Sequence, residues 1–162
     1  MKLSRSGIAA VCFVGAVAQT GCAFSASPAD GLTFQAPPGW QSSPGIMGFM
    51  QFWRAPSDDR EVLMLFKSPK ALVAGDVFSS ANMQGTLKNV TVQRRRATKI
   101  CGDQPAVYLQ ARGSSAKGGD STVDMVITTV HGTSYFAMYV RPIAAAPNPT
   151  AEASLQELCA KP

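Results

Sequence analysis

The sequence predicts an α+β domain: an antiparallel β-sheet of about six to seven strands with helices packed against it. Three observations lead there. Between residues 90 and 141 strand-like runs alternate with short Gly, Asp and His turns, which is the layout of an antiparallel meander. The run 61–67 is apolar on both alternating faces, with Val62, Met64 and Phe66 on one and Leu63 and Leu65 on the other, so that strand needs cover on both sides. Two stretches, one opening at Asp76 and one following Pro149, lack strand alternation and are the expected helical covers. A chain of 162 residues with 46% hydrophobic and 15% charged residues suits a single folded domain and is short for two.

The elements follow in order. Residues 31–36 form a first strand that stops at Pro37-Pro38-Gly39, a turn followed by Trp40, which reads as a lid over one end of the core. Residues 48–54 and 61–67 are rich in aromatic and aliphatic side chains and flank the polar turn 55–60, so they pair as a hairpin. Asp76 is placed to cap a helix running through Val77, Phe78 and Ala81 toward Leu87, with Gly85 weakening its last turn. Strands are then expected at 90–100, 106–112, 122–130 and 134–141, separated by Gly102-Asp103, by the Gly-rich loop 113–119 and by His131-Gly132. After Pro147-Asn148-Pro149 a final helix carries Ala151, Leu155 and Leu158 on one face and Cys159 in its last turn.

The N-terminus has the three parts of an export signal. Lys2 and Arg5 precede an apolar run over 8–18, and small and polar residues follow. That run is about eleven residues, against the roughly 20 that a membrane-spanning helix needs. Two cut sites compete: after Ala18, which gives a soluble product beginning at Gln19, or before Cys22, where Gln19-Thr20-Gly21-Cys22 resembles a lipobox with Gln19 in the place usual for Leu. The expected organisation is therefore a signal at 1–22, a flexible lead at 23–30 and one domain at 31–162, in the periplasm or envelope or secreted. A lipid on Cys22 is the one route to a membrane.

Four cysteines remain to be accounted for. Cys12 lies in the apolar signal and Cys22 at its edge, which leaves Cys101 and Cys159 as an even pair in a chain bound for an oxidising compartment. They are expected to be bonded, stapling the strand that ends at Ile100 to the C-terminal helix. The redox alternative needs two close thiols at a helix N-terminus, a setting neither residue has.

Catalytic groups are sparse. His131 is the single histidine and sits at a hairpin tip, where neither a triad nor a zinc site can be assembled around it. Among the carboxylates only Asp124 falls inside an expected strand, and it reads as the polar face of a half-exposed one. Asp58-Asp59 is a turn pair without calcium-loop spacing, and the Gly113 to Asp120 loop lacks the Gly-Lys-Ser/Thr order of a phosphate cradle. No catalytic residue, metal or cofactor is expected. The formal charge is +5, of which Lys2 and Arg5 belong to the signal, too little for a nucleic-acid reader. Arg94, Arg95 and Arg96, with Lys99, place positive charge on both faces of one strand. A solvated, aggregation-proof edge explains them, and they are also the best candidate surface for a partner.

Phe34-Gln35-Ala36-Pro37-Pro38-Gly39-Trp40, Ile100-Cys101-Gly102-Asp103-Gln104-Pro105-Ala106, the strand from Tyr135 to Arg141 and the helix from Ala153 to Cys159 resemble small exported bacterial proteins of the PsbP-like superfamily. The resemblance runs from about Leu32 to the end. It implies an α-β-α sandwich and the Cys101 to Cys159 link, and it implies action by docking on partners. The expectation is thus an exported, non-enzymatic domain that binds or supports a protein partner. A carrier with a ligand pocket under Trp40, and a hydrolase using Asp124 or His131, are the alternatives.

Overall fold

The structure is a computed structural model and describes residues 31–45, 49–74, 76–79, 87–115 and 118–161. The expected signal, both cut sites, Cys22 and the lead 23–30 lie outside the described residues, as does the middle of the helix expected after Asp76.

Nine strands and one α-helix are described: β1 (Leu32–Thr33), β2 (Gln41–Pro44), β3 (Phe49–Arg54), β4 (Val62–Ser68), β5 (Leu87–Ile100), β6 (Gln104–Ser115), β7 (Asp120–Val130), β8 (Thr133–Pro142), α1 (Pro149–Gln156) and β9 (Cys159–Ala160). Seven of the strands form one antiparallel sheet in the order β2-β3-β4-β8-β7-β6-β5. β1 and β9 make a separate two-stranded sheet, with Leu32 opposite Ala160. The turn between β7 and β8 is two residues long, and both His131 and Gly132 have positive φ, the geometry whose twist matches the flanking strands.

Alternation along the central strands builds two cores, one on each face of the large sheet. Leu63 and Leu65 of β4, Val126 of β7 and Tyr135, Ala137 and Tyr139 of β8 face a layer made of α1, β1 and β9, from which Leu32, Phe34, Ala151, Leu155 and Leu158 pack back. Met64, Phe66, Leu109, Val123, Met125, Ile127, Phe136 and Met138 form the opposite face. There Phe66 stacks on Phe136 with centroids 4.5 Å apart, and Phe49 meets Phe66 edge-on at 5.2 Å.

The α-β-α sandwich is the main expectation to fall. The described chain is mostly β, and its single α-helix lies on one face. The other face is covered by the stretch after β4, in which Ala74, Val77 and Phe78 are buried and whose described residues hold one 3-10 turn, Asp76–Ser79. Leu87, where the helix was to end, already belongs to β5. The physical reason is local. Among the described residues the adjacent apolar pair Val77-Phe78 buries both side chains within a single tight turn. A strand that is apolar on both sides requires cover, and among the described residues the cover of this second face is not α-helical.

Smaller differences follow the same logic. The first strand shortens to β1, β2 was not foreseen, and Cys159 stands just past α1 in β9. The helix itself forms as its signals dictate. Pro149 occupies the first turn, and the Asn148 side chain accepts hydrogen bonds from the backbone N–H of Thr150 at 3.1 Å and of Ala151 at 3.4 Å.

Cys101 and Cys159 are bonded, with Cα atoms 5.1 Å apart. A link spanning 58 residues stabilises by about 4 kcal/mol in the chain-entropy description. Its surroundings reinforce it: the Gln104 side-chain amide donates to the Ala160 carbonyl and accepts from the Ala160 N–H, both at 3.0 Å, and the Cys101 N–H donates to the Gln156 carbonyl at 3.1 Å. The open end of the β5–β6 hairpin turn is thus tied to the helix layer.

Candidate functional site

Two groups of polar residues stand out, and they are joined. The first is the arginine run. β5 is an edge strand, and from Lys88 to Lys99 no described residue of it is buried. Alternation separates the run as expected: Arg94 pairs with Gln110 and Arg96 with Tyr108 on the α1 side of the sheet, whereas Arg95 pairs with Leu109 on the other. Arg94 and Arg95 make no ion pair among the described residues, so their charges face solvent. Lys99 differs from the arginines, because its ammonium is 2.7 Å from the Asp103 carboxylate, four residues on. The four candidate residues are therefore three available cations and one that is already partnered.

The second group lies beneath. The Arg96 guanidinium sits 4.7 Å from the centre of the Tyr108 ring, and the Tyr108 hydroxyl donates to Oδ1 of Asp124. The Gln110 amide donates to the same oxygen at 2.9 Å, and Arg141 Nη2 lies 3.5 Å from Oδ2. Asp124 is 1% exposed, so its carboxyl group is buried and is not the polar face of a half-exposed strand. The register explains the cluster: Gln110, Asp124 and Tyr139 are direct neighbours across β6, β7 and β8. Along the same face the Tyr139 hydroxyl donates to the buried Glu61 carboxylate and accepts from the Asn148 N–H at 3.2 Å, which fastens the start of α1 to the sheet.

Burial, together with the hydrogen bond to a carboxylate, raises both phenols well above their ordinary value: Tyr108 through Asp124 and Tyr139 through Glu61. Both stay protonated donors across the physiological range. Asp124 accepts two hydrogen bonds at Oδ1, whereas its buried Oδ2 accepts none among the described residues and faces Arg141 Nη2 only as an ion pair at 3.5 Å. The stripe fixes the Tyr108 ring, over which Arg96 sits.

His131 and Asp124 are not brought together. Seven strand positions separate them along β7, about 23 Å at roughly 3.3 Å per residue, and His131 is a positive-φ turn residue at the sheet's end. Trp40 packs edge-on against Tyr139, with centroids 6.1 Å apart, and joins the α1-side core. No group of three or more His, Cys, Asp or Glu with metal-binding placement occurs among the described residues. None of their helices is long and apolar enough to cross a membrane.

Sequence reasoning found the arginines and missed what supports them. Tyr108, Gln110, Arg141 and Glu61 carry no motif, and only the register of four strands assembles them. The one available signal was that Tyr108, Gln110 and Arg112 put polar residues on alternate positions of β6, which marks a polar face.

No protein-family model matches the chain, and no curated protein does. Solved structures do. Cyanobacterial PsbP (CyanoP) from Synechocystis sp. PCC 6803 superposes with a TM-score of 0.55 at 20% identity, covering 80% of this chain and 87% of its own. A crystal structure from Bacteroides thetaiotaomicron matches with a TM-score of 0.54 at 15% identity over 84% of this chain, which spans 47% of that protein. The fold is PsbP-like.

Proposed function

We propose that this chain is an exported domain that works by docking on a protein partner through the basic edge strand β5, without catalysis of its own. The observation that carries this reading is the arginine run itself. Three cations in succession stand on a sheet edge that pairs with no further strand among the described residues, two of them without a carboxylate partner among those residues and the third braced on Tyr108. Steady surface positive charge on a rigid scaffold suits recognition of an acidic surface and speeds encounter with it.

Export is supported by Lys2, Arg5 and the apolar run behind them, and by a disulfide of the kind that persists in oxidising compartments. Lipidation of Cys22 would hold the domain at a membrane. An intact mass of the protein from its source under non-reducing conditions reports whether the chain begins at Gln19 or at an acylated Cys22.

Crosslinking in envelope fractions tests the docking. The wild-type chain is expected to capture one protein repeatedly, and a variant carrying Arg94→Glu, Arg95→Glu and Arg96→Glu is expected to lose it. Equal capture by both chains would sink the reading.

A further inference from the structure

We infer that the partner offers an extended acidic segment, which joins the sheet along β5 as an added strand. This rests on the docking reading above and specifies its chemistry.

The edge has the geometry for it. β5 closes one side of the seven-stranded sheet, so its outer row of backbone N–H and C=O groups has no neighbour among the described residues. Its two halves differ. Register shifts fall between Lys88 and Thr91 and between Val92 and Arg94, whereas Arg94 to Ile100 pair one for one with Gln110 to Gln104. Bulges bend a strand away from new pairing, and the regular half is left straight. Close packing fixes the bulged half, because a side chain at Gly113 would lie 3.0 Å from the Lys88 carbonyl. The open, regular edge is about 23 Å long, enough for a partner strand of about seven residues.

Side chains state which segment fits. A strand laid on this edge presents alternate residues to the two faces. On the α1 side it meets Arg94 and Arg96, which favours acidic residues at every second position. On the other side it meets Arg95 and then Ala97, whose short side chain leaves Val107 open behind it. There lies a mostly apolar groove of about 390 Å³, lined by Leu72, Val73, Val107 and Ile127 with Arg95 at its rim. Val73 is 60% exposed. Apolar residues at the intervening positions would reach over Ala97 toward that groove. The pattern called for is alternating acidic and β-branched or aliphatic residues. A second copy of this chain does not supply it, since pairing β5 with itself around Arg95 would set arginine against arginine.

The test titrates the full chain with a blocked peptide of alternating Glu and Val, about seven residues long, and with the same peptide carrying a central Pro, which removes a donor and cannot extend a ladder. Affinity is read by isothermal titration, and the site by amide hydrogen exchange. Binding of the alternating peptide is expected, with slowed exchange of the outward-facing amides between Arg94 and Ile100. The proline peptide and the Arg94→Glu, Arg96→Glu variant are each expected to bind on the order of tenfold more weakly or worse. Far-UV circular dichroism confirms that the variant is folded.

Equal binding of both peptides, or binding without protection of those amides, would overturn strand addition and leave a basic patch that docks by charge alone. Failure of the alternating peptide to bind, beside an arginine-dependent capture in the crosslinking experiment, would overturn this inference and leave the docking reading standing. Failure in both experiments would remove the two together, and the arginines would then serve only to keep the edge from aggregating.

Discussion

β8 and β5 belong to one sheet and are made for opposite purposes. In β8 every residue from Ser134 to Arg141 is buried, with neighbours on both sides and cover on both faces. In β5 only the end residues, Leu87 and Ile100, are buried, and between them all side chains but the half-buried Val90 and Thr98 are exposed. The stable part of this molecule is therefore the β4-β8-β7 centre with its two cores, and β5 is an edge strand that pairs with β6 along its length but is buried only at its ends. The disulfide stands at one of those ends, next to Ile100, where a covalent tie supplies what packing along the strand does not. The docking proposed above would fall where the fold has little to lose.

The contrast breaks most visibly at Phe136. Its ring is 1% exposed and stacked on Phe66. Phe136→Ala is expected to cost about 3–5 kcal/mol, because a large side chain in the close-packed centre leaves a cavity its neighbours cannot fill. Urea unfolding measures this directly. Val92→Ala, at a β5 position that is 42% exposed, should change the midpoint little by comparison. Comparable losses at the two sites would mean that β5 is buried by something outside the described residues.

Tyr139 gives an intermediate effect with a pH signature. Removing its hydroxyl by Tyr139→Phe takes the donor from buried Glu61 and the acceptor from the N-cap of α1, at a cost of about 1–3 kcal/mol near neutral pH. The sign of the pH dependence follows from the raised phenol. Below the ordinary value of 10.0 both folded and unfolded forms are protonated, so the contribution is fully present. Above it the unfolded chain releases the proton while burial keeps it on the folded one, so stability falls as pH rises. Unfolding free energies at pH 8 and pH 10.5 should diverge less in Tyr139→Phe than in the wild type. An equal divergence would assign the alkaline loss to other groups.

These two sites also show what was legible beforehand. The strands were readable because apolar alternation is a local property: β3, β4, β7 and β8 form within a residue or two of expectation, whereas α1 starts where expected and ends at Gln156, before the Leu158 and Cys159 it was to include. The cover of the second face was not, since Val77 and Phe78 announce burial without announcing the backbone that achieves it. β2 and β9 carry too little pattern to stand alone and exist through their partners, Ser42 opposite Trp53 and Cys159 opposite Thr33. The arginines were visible as a run of identical charges. Asp124 was misjudged because its burial depends on Tyr108, Gln110 and Arg141, which reach it from neighbouring strands. Charge on an edge is written in sequence, whereas a buried polar network is written in register.

The smallest expected effect is the sharpest test of the edge. Arg94→Ala and Arg95→Ala remove exposed cations with no ion-pair partner among the described residues, and each should shift stability by no more than about 0.5 kcal/mol. Arg96→Ala differs, because it also removes a guanidinium seated over the Tyr108 ring, and about 0.5–1 kcal/mol is expected. Urea midpoints for the three single variants resolve that order if all are measured against one wild-type curve. A loss above about 1 kcal/mol at Arg94 or Arg95 would make the run part of the fold's own support. In that case its exposure could no longer be read as a surface kept free for something else, and β5 would have to be regarded as a stabilising edge whose charges act inward.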